Sequence, residues 1–191
     1  MKKALILFGL AATLVLSACG NGNNDTSSEP NKGNNEIQKE GENGHAGMDH
    51  SGSSGAPEGM QKAANPTFPE GSEAVITDAH MDGMKDATAM VAGAYDTTVY
   101  TVSYTPANGG ERVTDHKWVV HEEIKDAGKE PFKPGDEVVL EADHMTGMEG
   151  AAATIDSAEQ TTVYMIDFTS TTTGEEVKNH KWVTEDELAL P

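Results

Sequence analysis

Two short stretches combine the residue types from which a soft-metal site is made. They are His80-Met81-Asp82-Gly83-Met84 and His144-Met145-Thr146-Gly147-Met148. Each puts one imidazole and two thioethers within five residues. Thioethers are soft, neutral donors that suit Cu(I), and imidazole suits both copper oxidation states. Two methionines three residues apart, with a glycine between them, can turn both sulfurs toward one point. The same methionines would also serve as flexible fillers at the mouth of a small barrel, and for one copy alone that packing role is the simpler account. The second copy shifts the balance toward metal. His, Met and Met recur, while Asp82 becomes Thr146 and Lys85 becomes Glu149.

The recurrence is part of a longer period. A shift of 64 residues superimposes 71–124 on 135–188 without a gap, and 23 of those 54 positions are identical. An exact period of this size marks two copies of one small unit. A second shared cluster is Asp115-His116-Lys117-Trp118 and Asn179-His180-Lys181-Trp182. On a regular strand His116 and Trp118 share a face, as do His180 and Trp182. A half-buried Trp beside a hydrogen-bonded His explains this pattern most simply. His116 and His180 are the further candidate ligands. One local difference is that Ala79 precedes His80 where Asp143 precedes His144. An orienting role for that Asp would leave the first cluster weaker.

The elements that carry these clusters read as all-β. Tyr164, Ile166 and Phe168 alternate with Val163, Met165 and Asp167, and Tyr100, Val102 and Tyr104 alternate with Val99, Thr101 and Ser103. A period of two marks half-buried strands. First strands are expected near 73–78 and 137–142, and last strands near 111–119 and 175–183. Turns fall at Pro106-Ala107-Asn108-Gly109-Gly110 and Thr171-Thr172-Thr173-Gly174. Thr184-Glu185-Asp186-Glu187 is a capping box that opens a single helical turn. In the first copy Val120 takes the cap position, which predicts a less well fixed turn. Four or five short strands in each copy predict two tandem SH3-like barrels, at 66–127 and 128–191. The Gly-Asp-x-Val opening resembles that of KOW-type barrels. A barrel of this size is marginal alone, so the two should pack together.

Ahead of the repeats the chain changes character twice. Lys2 and Lys3 precede an uncharged run, 4–16, that is 13 residues long. That is too short for a membrane span and suits the core of a signal peptide, 1–18. The run ends in Leu16-Ser17-Ala18-Cys19, which resembles a bacterial lipobox, so Cys19 is the expected lipidation site and new N-terminus. Cys19 is the only cysteine, which leaves the mature chain with no disulfide and no thiolate nucleophile or ligand. Residues 19–65 read as a disordered stalk of Asn, Gly and Ser, with a reach of roughly 35–40 Å. Within it His45, Met48 and His50 form a third, weaker candidate site.

The chain carries 13 Lys plus Arg against 32 Asp plus Glu; loss of Lys2 and Lys3 with the signal takes the net charge from −19 to −21. Such a chain repels phosphate backbones and anionic headgroups and attracts cations. Nucleic acid is therefore excluded as a partner. No enzyme is indicated, for the chain has no nucleophile motif, phosphate loop or zinc-protease motif.

Signal, stalk and both repeats, including the His-Lys-Trp-Val strands, resemble the YdhK-type, CopL-like family of Gram-positive surface lipoproteins, which carry tandem copies of a domain of unknown function. The CopL-type members are copper-binding lipoproteins associated with copper resistance. The resemblance implies copper as the cofactor, Cu(I) first and Cu(II) as a second state. It makes His80, Met81, Met84, His144, Met145 and Met148 the candidate ligands. Folding would not require the metal. Two functions stay open. One is an extracytoplasmic copper-binding lipoprotein, tethered to the outer face of the membrane, that buffers or sequesters metal and could meet a copper-handling protein. The other is a cell-wall or protein-interaction module with no metal role.

Overall fold

The computed structural model describes residues 55–191, which lie within one compact unit. Two long strands organise it. β3 (Thr88–Tyr104) and β6 (Ala152–Thr169) run antiparallel and pair along almost their whole length, from Ala89 opposite Phe168 to Tyr104 opposite Ala153. At about 3.3 Å per residue each spans roughly 55–60 Å. Around them lie β1 (Gln61–Lys62), β2 (Glu73–Ile76), β4 (Val113–Val120), β5 (Glu137–Val139), β7 (Glu176–Thr184) and β8 (Leu188–Ala189). All eight belong to one sheet. Short 3-10 turns, His121–Glu123 and Glu185–Glu187, follow β4 and β7.

The all-β expectation holds, but two self-contained SH3-like barrels do not form. One open sheet runs through both repeats. In the second repeat Asp156-Ser157-Ala158-Glu159-Gln160 is polar and largely exposed and contains no Gly or Pro to turn the chain, while its counterpart in the first repeat, 92–96, carries Gly93 and still runs on as strand β3. The 156–160 stretch continues β6 and pairs with Thr98–Tyr100 and their neighbours. Each repeat thus contributes one long strand where two short ones were expected.

In that ladder Thr97 lies opposite Thr161, its own equivalent 64 residues on, so a pseudo-twofold axis passes through this pair. On one side of it, a core gathers Ile76, Met84, Ala89 and Val91 from the first repeat with Tyr164, Ile166, Phe168, Val183 and Leu188 from the second. On the other, Tyr100, Val102, Tyr104, Val119 and Ile124 of the first repeat pack with Leu140, Met148, Ala153 and Ile155 of the second. A third cluster at the waist joins Tyr95, Val99 and Trp118 to Val163, Met165 and Trp182. Each lobe is therefore half one repeat and half the other. The expected packing of one copy on the other is met by exchange of halves, and burying both ends of each long strand is what drives it.

Residues 1–54 lie outside the described residues, and with them the signal, Cys19 and the His45, Met48 and His50 cluster. The ordered body starts ahead of residue 66, where the stalk was expected to end. Gln61 and Lys62 pair with Asp96 and Tyr95, and Ala56 and Met60 pack on the waist.

Candidate functional site

The exchange of halves assembles one cluster in each lobe from both repeats. In the first lobe the loop after β2 brings His80, Met81 and Met84. Gly83, at φ +82°, gives that loop its bend, and a Cβ there would run into the Ser170 hydroxyl of the other repeat. The turn between β6 and β7 clasps the loop, as Thr171 donates its N–H to the Gly83 carbonyl at 2.9 Å. His180 arrives from β7. Its Nε2 is 3.0 Å from Nε2 of His80, and the two rings meet nitrogen to nitrogen, 25° from parallel, with centroids 5.2 Å apart.

The second lobe repeats the plan with the roles of the repeats reversed. Gly147, at φ +81°, bends the His144 loop against Asn108, and Ala107 donates its N–H to the Gly147 carbonyl at 2.8 Å. His116, from β4, lies with its ring centroid 6.3 Å from that of His144. The structure thus brings His80 to His180 and His144 to His116, each pair crossing the repeats.

The methionines divide into two kinds. Met84 and Met148 are 0% exposed and belong to the lobe cores, whereas Met81 and Met145 are half-buried at the core edge, beside the histidines of their loops. Tyr104 donates its hydroxyl to Sδ of Met145 at 3.7 Å. Packing alone accounts for Met84 and Met148; Met81 and Met145 are the better-placed thioethers.

Two residues complete the clusters: Glu187, expected only as part of a capping box, and Glu123, its unremarked equivalent. Glu187 is buried, and its Oε2 accepts the indole N–H of Trp118 at 2.8 Å and the N–H of Thr184 at 2.9 Å. Its Oε1 lies 3.5 Å from Lys117 Nζ and 3.8 Å from Nδ1 of His80. Glu123 does the same in the other lobe. Its Oε2 accepts from Trp182 at 3.0 Å and from the Val120 N–H at 3.2 Å, and its Oε1 meets His144 Nε2 at 2.7 Å. The Val120 turn is therefore held by the carboxylate that binds its backbone, as the Thr184 turn is. A carboxylate does orient the His144 imidazole, and it comes from the opposite repeat. The signal was present in the sequence, for Glu123 and Glu187 are themselves 64 residues apart.

Burial would push the Glu187 carboxyl up, but the His80 ring, the Thr184 N–H and the Trp118 indole outweigh it and hold the group at about 2, below its usual 4.5. It is a fixed anion at neutral pH.

His116 and Trp118 were expected to share a face. Instead, His116 stands by His144 in one lobe while Trp118 reaches Glu187 in the other. The ladder shows the reason. Tyr100 pairs with Val119 and Val102 with His116, so β4 carries an extra residue and its alternation breaks. The same bulge lies between Tyr164–Val183 and Ile166–His180 in β7. The peptide bonds Lys117–Trp118 and Lys181–Trp182, within the bulges, are cis.

Among the described residues no three His, Cys, Asp or Glu side chains are grouped to hold a metal. A metal would need the thioethers. The donor set fits that requirement: Nδ1 of His144 is buried without a hydrogen-bond partner, and Nδ1 of His80 faces Glu187 at 3.8 Å, which leaves its Nε2 to the cluster.

Taken together, fold and site define a class: a pseudo-twofold, all-β tandem-repeat protein with two cross-repeat His/Met/Glu clusters. The chain belongs to the family described as protein of unknown function DUF1541, whose model matches 70–121 and 134–185. It is 58% identical over 188 residues to the uncharacterized protein YdhK of Bacillus subtilis (strain 168), with 98% of this chain and 89% of that protein covered. A crystal structure of the DUF1541 family protein ydhK from B. subtilis subsp. subtilis str. 168 is similar at a TM-score of 0.73 and 65% identity, covering 75% of this chain and 97% of that one. A solution NMR structure of the B. subtilis ydhK C-terminal domain is similar at 0.62 and 67% identity, covering 64% of this chain and 93% of that one.

Proposed function

We propose that this protein is an extracytoplasmic lipoprotein that binds copper, preferentially Cu(I), and buffers or sequesters it at the cell surface. The observation that carries the reading is the approach of Nε2 of His80, in the loop that also holds Met81, to Nε2 of His180 on β7, 3.0 Å away. Two imidazole nitrogens aimed at each other share one proton. A metal that replaces that proton between rings meeting head to head sits near the line joining the two nitrogens and, at about 2.0–2.1 Å from each, needs them about 4 Å apart, an opening of about 1 Å. The excess of acidic residues concentrates cations around the site.

Titration of the full chain with Cu(I) against a competing chelator tests the reading. Wild type should win copper from the chelator, and His80→Asn with His180→Asn should lose a large share of that capacity. Zn(II) should bind more weakly, because thioethers discriminate against it. Failure of the wild type to compete for Cu(I) would overturn the assignment. The lipid anchor has its own test. Cys19→Ala should release the protein from the membrane or leave the signal uncleaved; continued lipid labelling of that variant would refute it.

A groove of about 670 Å³ supports the second reading, an interaction module for cell wall or protein. Arg112, Lys125 and Phe132 line it together with Val139, an exposed apolar residue. Retention of the protein on purified cell wall, lost on Phe132→Ser, would favour that role.

A further inference from the structure

The two clusters are built on one plan, but they do not offer a metal the same donors. We infer that they fill unequally, the His80–His180–Met81 cluster taking Cu(I) before the His144–Met145 cluster, and that the residue at position 104 or 168 sets the gap. The inference rests on the copper reading above.

The first difference lies in the imidazoles. In the first lobe, His80 and His180 present Nε2 to Nε2 at 3.0 Å, with the rings only 25° from parallel. Entry of a metal there displaces one shared proton. In the second lobe, Glu123 holds Nε2 of His144 at 2.7 Å and leaves Nδ1 as the nitrogen open to a metal, but the His116 ring is tilted by 39° with its centroid 6.3 Å away. A second imidazole must therefore swing before it can join His144 on one metal, and that reorganisation subtracts from affinity.

The second difference lies at the thioether. Tyr104 faces Met145 and donates its hydroxyl to the sulfur at 3.7 Å. Its equivalent 64 residues on is Phe168, in the core against which Met81 packs. Phenylalanine has no hydroxyl to donate. Copper must break a hydrogen bond to reach the Met145 sulfur but meets no such bond from position 168 at Met81. The rings otherwise do the same job, for Tyr104 packs edge-on against His116 at 6.0 Å and Phe168 against His180 at 5.8 Å. Exchange of Tyr and Phe therefore probes the hydroxyl with little change in packing. The order of filling is the reverse of that suggested by Ala79 and Asp143 in the sequence.

The test uses the full chain with ¹³C-labelled methionine methyls, titrated with Cu(I) at fixed chelator, with Met81→Leu and Met145→Leu to assign the two signals. The Met81 methyl should shift at lower free Cu(I) than that of Met145. Tyr104→Phe should move the Met145 midpoint to lower free Cu(I) by roughly threefold to tenfold, the worth of one modest hydrogen bond, and leave Met81 in place. Phe168→Tyr should weaken the Met81 site. Simultaneous shifts in wild type, or an unmoved Met145 midpoint in a Tyr104→Phe protein of normal thermal stability, would overturn the inference while copper binding stood. Absence of any methyl shift at saturating Cu(I) would overturn the copper reading and this inference with it.

Discussion

At the scale of single residues, the buried carboxylates and loop glycines matter most. Glu187 is held near 2 when folded, against its usual 4.5. A depressed carboxyl pKa contributes stability that is fully present above about 4.5 and is lost as pH falls from there through 2. The shift corresponds to about 3 kcal/mol. The unfolding free energy of wild type should therefore converge on that of Glu187→Gln by about that amount between pH 6 and pH 2 in urea titrations, and a constant gap would show that the carboxylate is not the source. Gly83 and Gly147 both need positive φ, but a Cβ at Gly83 meets the short Ser170 side chain, whereas at Gly147 it meets the end of the longer Asn108. Gly83→Ala should thus cost more than Gly147→Ala, on the order of 1–3 kcal/mol for the former, as judged by thermal unfolding. The methionines should also separate. Met84→Leu keeps volume within a closed core and should cost less than about 1.5 kcal/mol with Cu(I) binding retained, while Met81→Leu should reduce Cu(I) binding with stability nearly unchanged.

At the scale of elements, β4 and β7 each serve both lobes. β4 sends His116 to one cluster and the Trp118 indole to the carboxylate of the other, and β7 does likewise with His180 and Trp182. Trp118→Phe leaves a buried carboxylate short of a donor and should cost about 1–3 kcal/mol, measured by chemical denaturation; Trp182→Phe should behave alike. The strands, turns and clustered loops were legible in the sequence because alternation, Gly-bearing turns and the shift of 64 all report local structure. The partnership of His80 with His180 was not. A period says that two copies exist, but a residue such as Val91 or Ile155 is equally apolar whether it packs on its own repeat or on the other. The bulge that turns His116 away from Trp118 was hidden for a similar reason, since His116-Lys117-Trp118 alternates regularly when read as letters. Glu123 and Glu187 were visible as a repeated pair, but an acidic residue in a capping turn is ordinarily solvated, and only the packing reveals the indole above it.

At the scale of the whole molecule, the exchange of halves makes the connector between repeats dispensable once the chain has folded. Cleavage between Gly128 and Lys129, on the exposed stretch after the first 3-10 turn, should leave two fragments that remain associated and copurify, because each supplies half of both cores. Either fragment alone should lack a cooperative unfolding transition at low concentration, and a monomeric, cooperatively folded fragment would contradict the exchanged arrangement. The axis through Thr97 and Thr161 carries a consequence for descent. Two separate copies of one repeat, related by that axis, would build the same pair of lobes, so the present chain is equivalent to a homodimer whose subunits have been joined by gene duplication. In such a dimer every substitution falls on both sites at once. Fusion removes that constraint, and a tyrosine at 104 where its equivalent at 168 is phenylalanine is a divergence that only the joined form permits.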